Sequence, residues 1–257
     1  MARTRFGATL FFVFLAGVMI LAACPALAAS SLDEIKSKGE LAFGTDATMP
    51  PFEYVDKDGK IVGAEIELGE ELAKRMGLKA KFINMAWDGI FLAMDAKRCD
   101  VIISSVSITP RRQQTYDFSI PYKDSAQVLV VRKQEQNIKS KDDLKGKVIG
   151  CQLGTVAETE AKKLEGVTIK AYSTYSEPFM ELDFERVHAI VSNKSTANAF
   201  LARHPDKYKI IGDDLIIQYQ GIVIRKGEKD LKEAIDKALK TMIDDGFIKE
   251  LRKKHQF

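Results

Sequence analysis

The chain has 257 residues, 46% of them hydrophobic and 29% charged, with 39 basic against 36 acidic side chains and a formal net charge of +3. That is enough for one large or two medium domains, and the composition excludes a disordered or coiled-coil protein. With charges so nearly balanced, no nucleic-acid partner is expected.

Residues 1–29 read as a signal peptide: Arg3 and Arg5 precede an apolar run from Ala8 to Ala23, and Ala26-Leu27-Ala28 offers small residues for cleavage. Leu21-Ala22-Ala23-Cys24 also fits the pattern for lipid attachment to the cysteine. Pro25 after that cysteine, and the cleavage site just beyond, favour release into the periplasm, with lipid anchoring through Cys24 as the alternative. Without Arg3 and Arg5, 39 − 2 = 37 basic residues face 36 acidic ones, a formal charge of +1. No later segment approaches the ~20 apolar residues of a membrane span.

The mature chain opens with a short helix over Ser31 to Lys38 and a strand over Leu41 to Thr45. The strand runs into Asp46-Ala47-Thr48-Met49-Pro50-Pro51-Phe52-Glu53-Tyr54, a Pro-rich loop at the sheet edge where open α/β sheets bind ligands. Asp56-Lys57-Asp58-Gly59 is a turn, Glu65 to Met76 a helix ended by Gly77, and Lys79 to Asn84 a strand. Trp87 precedes a helix carrying Ile90, Phe91 and Met94 on one face.

Val101-Ile102-Ile103 is an uncharged β-branched run, the mark of a buried strand, and Ser104-Ser105-Val106-Ser107 begins where it would leave its sheet. Thr109 followed by Pro110 is a helix start, cap then first helical position, which places Arg111 and Arg112 in the first turn. Serine hydroxyls, free backbone N–H groups and a guanidinium fork in one place suit a carboxylate. A solvated polar turn is the competing reading.

After Ile120-Pro121-Tyr122 and a strand over Gln127 to Val131, the α/β rhythm restarts. Strands are expected at Lys147 to Cys151, Val167 to Ala171, Val187 to Ser192, Tyr208 to Gly212 and Gln218 to Arg225. Helices are expected after Gly154, at Tyr175 to Glu185 and at Lys194 to Arg203, with one long closing helix over Glu228 to Lys254. Two sequential α/β halves with no Gly/Ser linker suggest two lobes joined by strand-like hinges, with a cleft between them as the binding place. Cys99 and Cys151 are expected in different halves as buried free thiols. His188, His204 and His255 lack metal-ligand spacing, so no metal site is expected.

Gly44-Thr45-Asp46 with Pro51-Phe52, Gly63 to Glu71, Ser104 to Arg112 with Gln113-Gln114, Phe118 to Tyr122, Asp143 to Lys147, Gln152 to Thr155 and Asp245-Gly246 together resemble the extracellular solute-binding proteins of family 3, the amino-acid receptors of ABC importers. The resemblance covers essentially the whole mature chain. It implies an α/β, two-lobe periplasmic-binding-protein fold (type II), each lobe a mixed sheet flanked by helices, with the ligand in the inter-lobe cleft. Lobe 1 would be 30–125 plus 219–257, and lobe 2 126–218. The implied partners are a small-molecule amino-acid ligand and a membrane permease, for a monomer with no cofactor and no catalytic machinery.

In such receptors the residues matching Ser105, Ser107 and Arg112, beside Ser104, hold the ligand carboxylate, and the Gly154-Thr155-Val156 loop closes over it. Met49 and Trp87 would flank the ligand side chain, and Asp46 would reach its polar end. The chain departs from the family where an acid normally pairs with the ligand ammonium: Asn193 stands there, a carbonyl acceptor without charge. Glu185-Arg186-Val187-His188-Ala189 also replaces a usual Gly-Arg-x-Asp-Ala. The alternative from another class is a periplasmic enzyme resembling the cyclohexadienyl dehydratases, acting on prephenate or arogenate. Against it, Thr196 stands where their acid is expected.

Overall fold

The computed structural model describes residues 31–257; the expected signal peptide and Cys24 lie outside the described residues. Helix α1 (Ser31–Lys38) leads into β1 (Glu40–Thr45), and β2 (Thr48–Met49), β3 (Glu53–Val55) and β4 (Ile61–Val62) form a small antiparallel sheet ahead of α2 (Ala64–Arg75). There follow β5 (Lys79–Asn84), a 3-10 turn at Trp87–Gly89, α3 (Ile90–Asp95), β6 (Val101–Ile102), α4 (Pro110–Thr115) and β7 (Tyr116–Phe118). Next come β8 (Lys123–Arg132), β9 (Val148–Gln152), α5 (Val156–Ala161), β10 (Thr168–Tyr172) and α6 (Glu177–Asp183). The remaining elements are β11 (Ala189–Asn193), α7 (Lys194–Arg203), β12 (Tyr208–Gln220), β13 (Val223–Arg225), α8 (Lys229–Asp244) and α9 (Phe247–His255).

Two five-stranded sheets result, in the orders β5-β1-β6-β13-β7 and β10-β9-β11-β8-β12. Both are mixed: β5, β1 and β6 run parallel, as do β10, β9 and β11, while β13 pairs antiparallel with β6 and β7, and β8 antiparallel with β11 and β12. Val101, Ile102 and Ile103 are fully buried, as expected of a strand covered on both faces. Strand β8 alternates instead, sending Leu129 and Val131 into one core with Ala157 and Ala161, and Val128 and Val130 into another with Phe179 and Leu182. The first sheet is covered by Leu68, Leu72, Ile235 and Leu239 on one face and by Ile90 and Met94 on the other. This is the two-lobe α/β architecture.

The chain passes from the first sheet to the second between Phe118 and Lys123 and returns between Gln220 and Val223, and Lys123 pairs with Gln220 at that point. Cys99 and Cys151 are free and buried, one beside each sheet.

Three features differ from the sequence reading. Tyr208–Gln220 is one strand rather than two, because a register shift between Ile211 and Ile216 carries the polar segment through without breaking the ladder. The closing helix is two helices, since Gly246 takes a left-handed conformation (φ 84°) that ends α8 and starts α9, with Met242 and Ile248 still sharing one core. The strands β2 to β4 and β7 also appear where the sequence suggests only loops.

Candidate functional site

Between the lobes lies a space of about 370 Å³ of non-atom volume, counted out to its mouth. The first lobe lines it with Asp46, Met49, Trp87, Ser104, Ser105, Ser107 and Arg112, and the second with Thr155, Val156 and Asn193. These ten residues are the candidates named from sequence. Five further lining residues, Glu53, Gln127, Gln152, Tyr175 and Gln220, were not among them.

Arg112 is placed by a local device. The Thr109 side chain accepts the Arg112 N–H at 3.3 Å and Pro110 opens α4, so the guanidinium leaves the first turn toward the cleft. It donates to the Ser107 carbonyl at 3.0 Å and, across the cleft, to the Gly154 carbonyl at 3.3 Å. Its centre lies 5.3 Å from the Trp87 ring and 5.4 Å from the Phe91 ring. Burial lowers its pKa to about 10, with nearby Arg111 adding to the effect, so it remains a cation at neutral pH. All of these contacts are to carbonyl oxygens and rings, and none is to a carboxylate.

The serines are engaged within the protein. The Ser104 hydroxyl accepts the Asp46 N–H at 2.9 Å and donates to Glu53 Oε1 at 3.2 Å. Ser105 sits in the left-handed region (φ 50°) and uses every polar group it has. Its N–H and hydroxyl donate to Glu65 at 2.6 and 2.8 Å, its hydroxyl accepts from Lys123 at 2.8 Å, and its carbonyl accepts from Gln220 at 2.7 Å. Ser107 forms a β-bridge with Gln220.

Behind these serines is a buried ionic cluster. Glu65 and Lys123 are 2.8 Å apart with almost no exposure, and Glu65 also accepts the Tyr122 hydroxyl at 2.7 Å. Lys123 Nζ rests 2.9 Å from the centre of the Phe52 ring. Glycine makes this assembly possible. The backbone at Gly63 (φ 133°) passes so close to the Phe52 carbonyl that a Cβ would lie 2.2 Å from it. Ala64 and Glu65 then donate their N–H groups to Pro51 and Phe52, docking the Pro-rich loop on the start of α2 and bringing Glu53 beside Glu65. Glu53 is fully buried, and burial first, then the Glu65 charge, hold its pKa well above the glutamate range.

The second lobe contributes Gln152, whose amide donates to Asp46 at 2.9 Å, and Thr155, whose hydroxyl donates to the Gln152 carbonyl at 2.7 Å. Burial raises the Asp46 pKa, opposed by hydrogen bonds from Gln152 and Thr48. Asn193 lines the cleft from the end of β11. Its Oδ1 already accepts from Ser195 and Thr196 as the cap of α7, at 3.0 and 3.4 Å, and its Nδ2 donates to Ser125 at 2.6 Å. A carbonyl aimed at two helix N–H groups is engaged before any ammonium arrives. His188 is half-buried, with Nδ1 accepting the Val148 N–H at 3.1 Å.

Of the five residues not named from sequence, Glu53 and Gln152 stand inside motifs quoted for the resemblance or the Pro-rich loop. Gln127 and Gln220 look like ordinary strand residues, and no local pattern marks Tyr175. Among the described residues no group of three or more His, Cys, Asp and Glu could hold a metal ion.

The model of the bacterial extracellular solute-binding proteins, family 3, matches residues 41–257. The L-cystine-binding protein TcyJ of Escherichia coli (strain K12) is 35% identical over 93% of this chain and 93% of its own. Among solved structures, a P235GK mutant of ArgBP from T. maritima superposes with TM-score 0.83 at 38% identity, covering 87% of this chain and 98% of its own. The ancestral amino acid-binding protein AncCDT-1, a precursor of cyclohexadienyl dehydratase, gives TM-score 0.83 at 36% identity over 88% of this chain and 99% of its own. TcyJ is an L-cystine-binding protein, and ArgBP from T. maritima has an arginine-bound structure. A solute-binding protein and not an enzyme, this chain belongs to the bacterial extracellular solute-binding proteins, family 3.

Proposed function

We propose that the chain is a periplasmic receptor, exported by its signal peptide, that captures a free amino acid with a polar or basic side chain and delivers it to an ABC-importer permease by hinge closure. Lobe 1 comprises residues 30–125 and 219–257, and lobe 2 residues 126–218. The observation that carries this reading is Arg112, a desolvated cation facing a cavity shared by both lobes, with only carbonyls and rings around it. A ligand carboxylate would complete it with two parallel hydrogen bonds. The cystine binding of TcyJ and the arginine binding of the ArgBP relatives support an amino-acid ligand. Hinge closure is supported by contacts that require both lobes, namely Arg112 to Gly154 and Gln152 to Asp46.

A thermal-shift panel of the amino acids, with prephenate and arogenate as controls, tests the proposal. A ligand that binds only the native state adds about 2.7 kcal/mol at a hundredfold excess over its dissociation constant. At least one amino acid should raise the melting temperature. No shift with any of them, together with phenylpyruvate formed from prephenate, would overturn the receptor in favour of the dehydratase.

A further inference from the structure

Beyond Arg112 the cleft opens sideways into a second space, a groove of about 1550 Å³ of non-atom volume counted out to its mouth. The first lobe contributes Phe91, Ile108 and much of α4, and the second contributes the start of α5 and the end of β12. The Arg112 guanidinium is the partition. It lies 5.3 Å from Trp87, which lines the inner cavity, and 5.4 Å from Phe91, which lines the groove. Capture in the inner cavity leaves this groove without a role.

Gln218 is the anomaly in it. Strand β12 alternates here, with Ile217 65% and Tyr219 60% exposed and Gln218 between them only 7% exposed. The nitrogen and the oxygen of the Gln218 amide are both buried without a hydrogen-bond partner. Its cross-strand neighbour Ser125 is bonded to Asn193 instead. A buried amide that neither donates nor accepts carries a desolvation cost that an apolar side chain would not. A molecule offering one acceptor and one donor together satisfies it, and a secondary amide presents that pair.

The groove also holds uncompensated positive charge. Among the described residues Glu160 is the one carboxylate lining it, and Glu160 is paired with Lys163 at 2.7 Å. Arg111 is exposed and forms no hydrogen bond or ion pair with the described residues, and Arg112 bonds only to carbonyls. Phe91, Ile108, Tyr116, Ile217 and Tyr219 supply apolar and aromatic surface. Such walls with a few polar groups are the usual make-up of a small-molecule site.

We propose that this groove is a second binding site, for a small amphipathic anion in which an amide joins a carboxylate to an apolar group, as in an N-acylated amino acid. The carboxylate pairs with Arg111, the amide pairs with both polar atoms of Gln218, and the apolar group covers Ile217 and Tyr219. A free amino acid has no amide to offer and belongs to the inner cavity. Because the walls come from both lobes, a molecule seated here favours their closed arrangement, and each ligand then tightens the other by the same factor. This coupling, unlike the site itself, rests on the amino-acid receptor reading above.

Nuclear magnetic resonance titration of the full mature chain with N-acetyl-L-phenylalanine tests the site. Saturable shifts are expected at Thr159, Ile217 and Tyr219, with a Kd of about 1 mM or tighter, the range for a ligand of this size. Gln218→Leu should weaken the binding on the order of tenfold while melting no lower than wild type, since it discards an unpartnered amide. Arg111→Ala removes an exposed side chain and should leave folding intact. It should weaken N-acetyl-L-phenylalanine by a similar factor and leave N-acetyl-L-phenylalaninamide, which lacks the carboxylate, unaffected. No binding, binding unchanged by Gln218→Leu or by Arg111→Ala, or shifts centred on Met49, Ser104 and Gln127 of the inner cavity overturns the site. For the coupling, the best amino acid from the thermal-shift panel should bind more tightly with the probe at saturation, and equal affinity overturns it. If no amino acid binds, the receptor reading and the coupling fall together, while the site stands or falls on the two substitutions.

Discussion

Gln152 and Asp46 meet across the cleft, the amide of the second lobe donating to the carboxylate of the first at 2.9 Å. Asp46 is nearly inaccessible, so this donor offsets part of the cost of burying its charge. The contact exists only when the lobes are together. Ligand should therefore compact the particle in small-angle scattering. Gln152→Ala should weaken binding by about 1.5–3 kcal/mol, the range for a hydrogen bond to a charged group. Unchanged affinity would remove Gln152 from closure.

Arg112→Ala should lower affinity by about 2–5 kcal/mol, since the ligand carboxylate would be left buried and unpaired. Folding should be unaffected, because the guanidinium bonds only to the Ser107 and Gly154 carbonyls. Isothermal titration measures the loss, and a variant binding like wild type would dissolve the anion site.

Asn193→Asp keeps a helix-capping oxygen and can still accept a hydrogen bond from Ser125, so stability should change little. The added charge borders the cavity and should tighten an α-ammonium by roughly 1 kcal/mol. Weaker binding of the best ligand would mean that no ammonium lies there. Asn193→Ala should instead cost about 1 kcal/mol of stability through the lost cap, as read by denaturant unfolding.

The pH dependence of the ligand-free protein follows from Glu53. Its folded pKa lies above its unfolded value, so through that window the folded state holds more protons than the unfolded one. Stability contributed by the protonated carboxyl is present at low pH and is lost as pH rises from the ordinary glutamate range through the folded value. Glu53→Gln should flatten this fall. Melting curves across pH for both proteins give the comparison, and parallel profiles would count against a protonated Glu53.

Gly63→Ala should destabilise by about 1–3 kcal/mol or more, since the residue holds φ 133° and a Cβ would lie 2.2 Å from the Phe52 carbonyl. Chemical denaturation reads this directly. A neutral substitution would mean that the Pro-rich loop can leave α2 at little cost.

What could be read from sequence was local. Thr109-Pro110-Arg111-Arg112 announces its own helix start, and the structure has the Thr109 side chain bonded to the Arg112 N–H. Val101-Ile102-Ile103 announces burial on both faces. The paired strand β12 was hidden because Asp213 and Asp214 resemble a loop, and only the register shift against β8 reconciles them with a ladder. Glu53 was hidden differently. Its meeting with Glu65 depends on a backbone turn at Gly63, and its isolation on where Lys123 spends its charge, and neither is a property of neighbouring letters. Gln127 and Gln220 carry no pattern beyond strand membership, so only tertiary pairing reveals unpartnered oxygens there.

Trp87 is the chain's one tryptophan, and its indole lies at the seam, within 3.4 Å of where a Gly154 Cβ would stand and beneath the Arg112 guanidinium. It is nearly inaccessible with the lobes together. Separating them would admit water to the ring on the side now covered by Gly154. The native emission spectrum is thus a label-free optical gauge of the gap between the lobes, red-shifted when they part and blue-shifted when they meet, and ligand capture can be timed in a stopped-flow cell without attaching any dye.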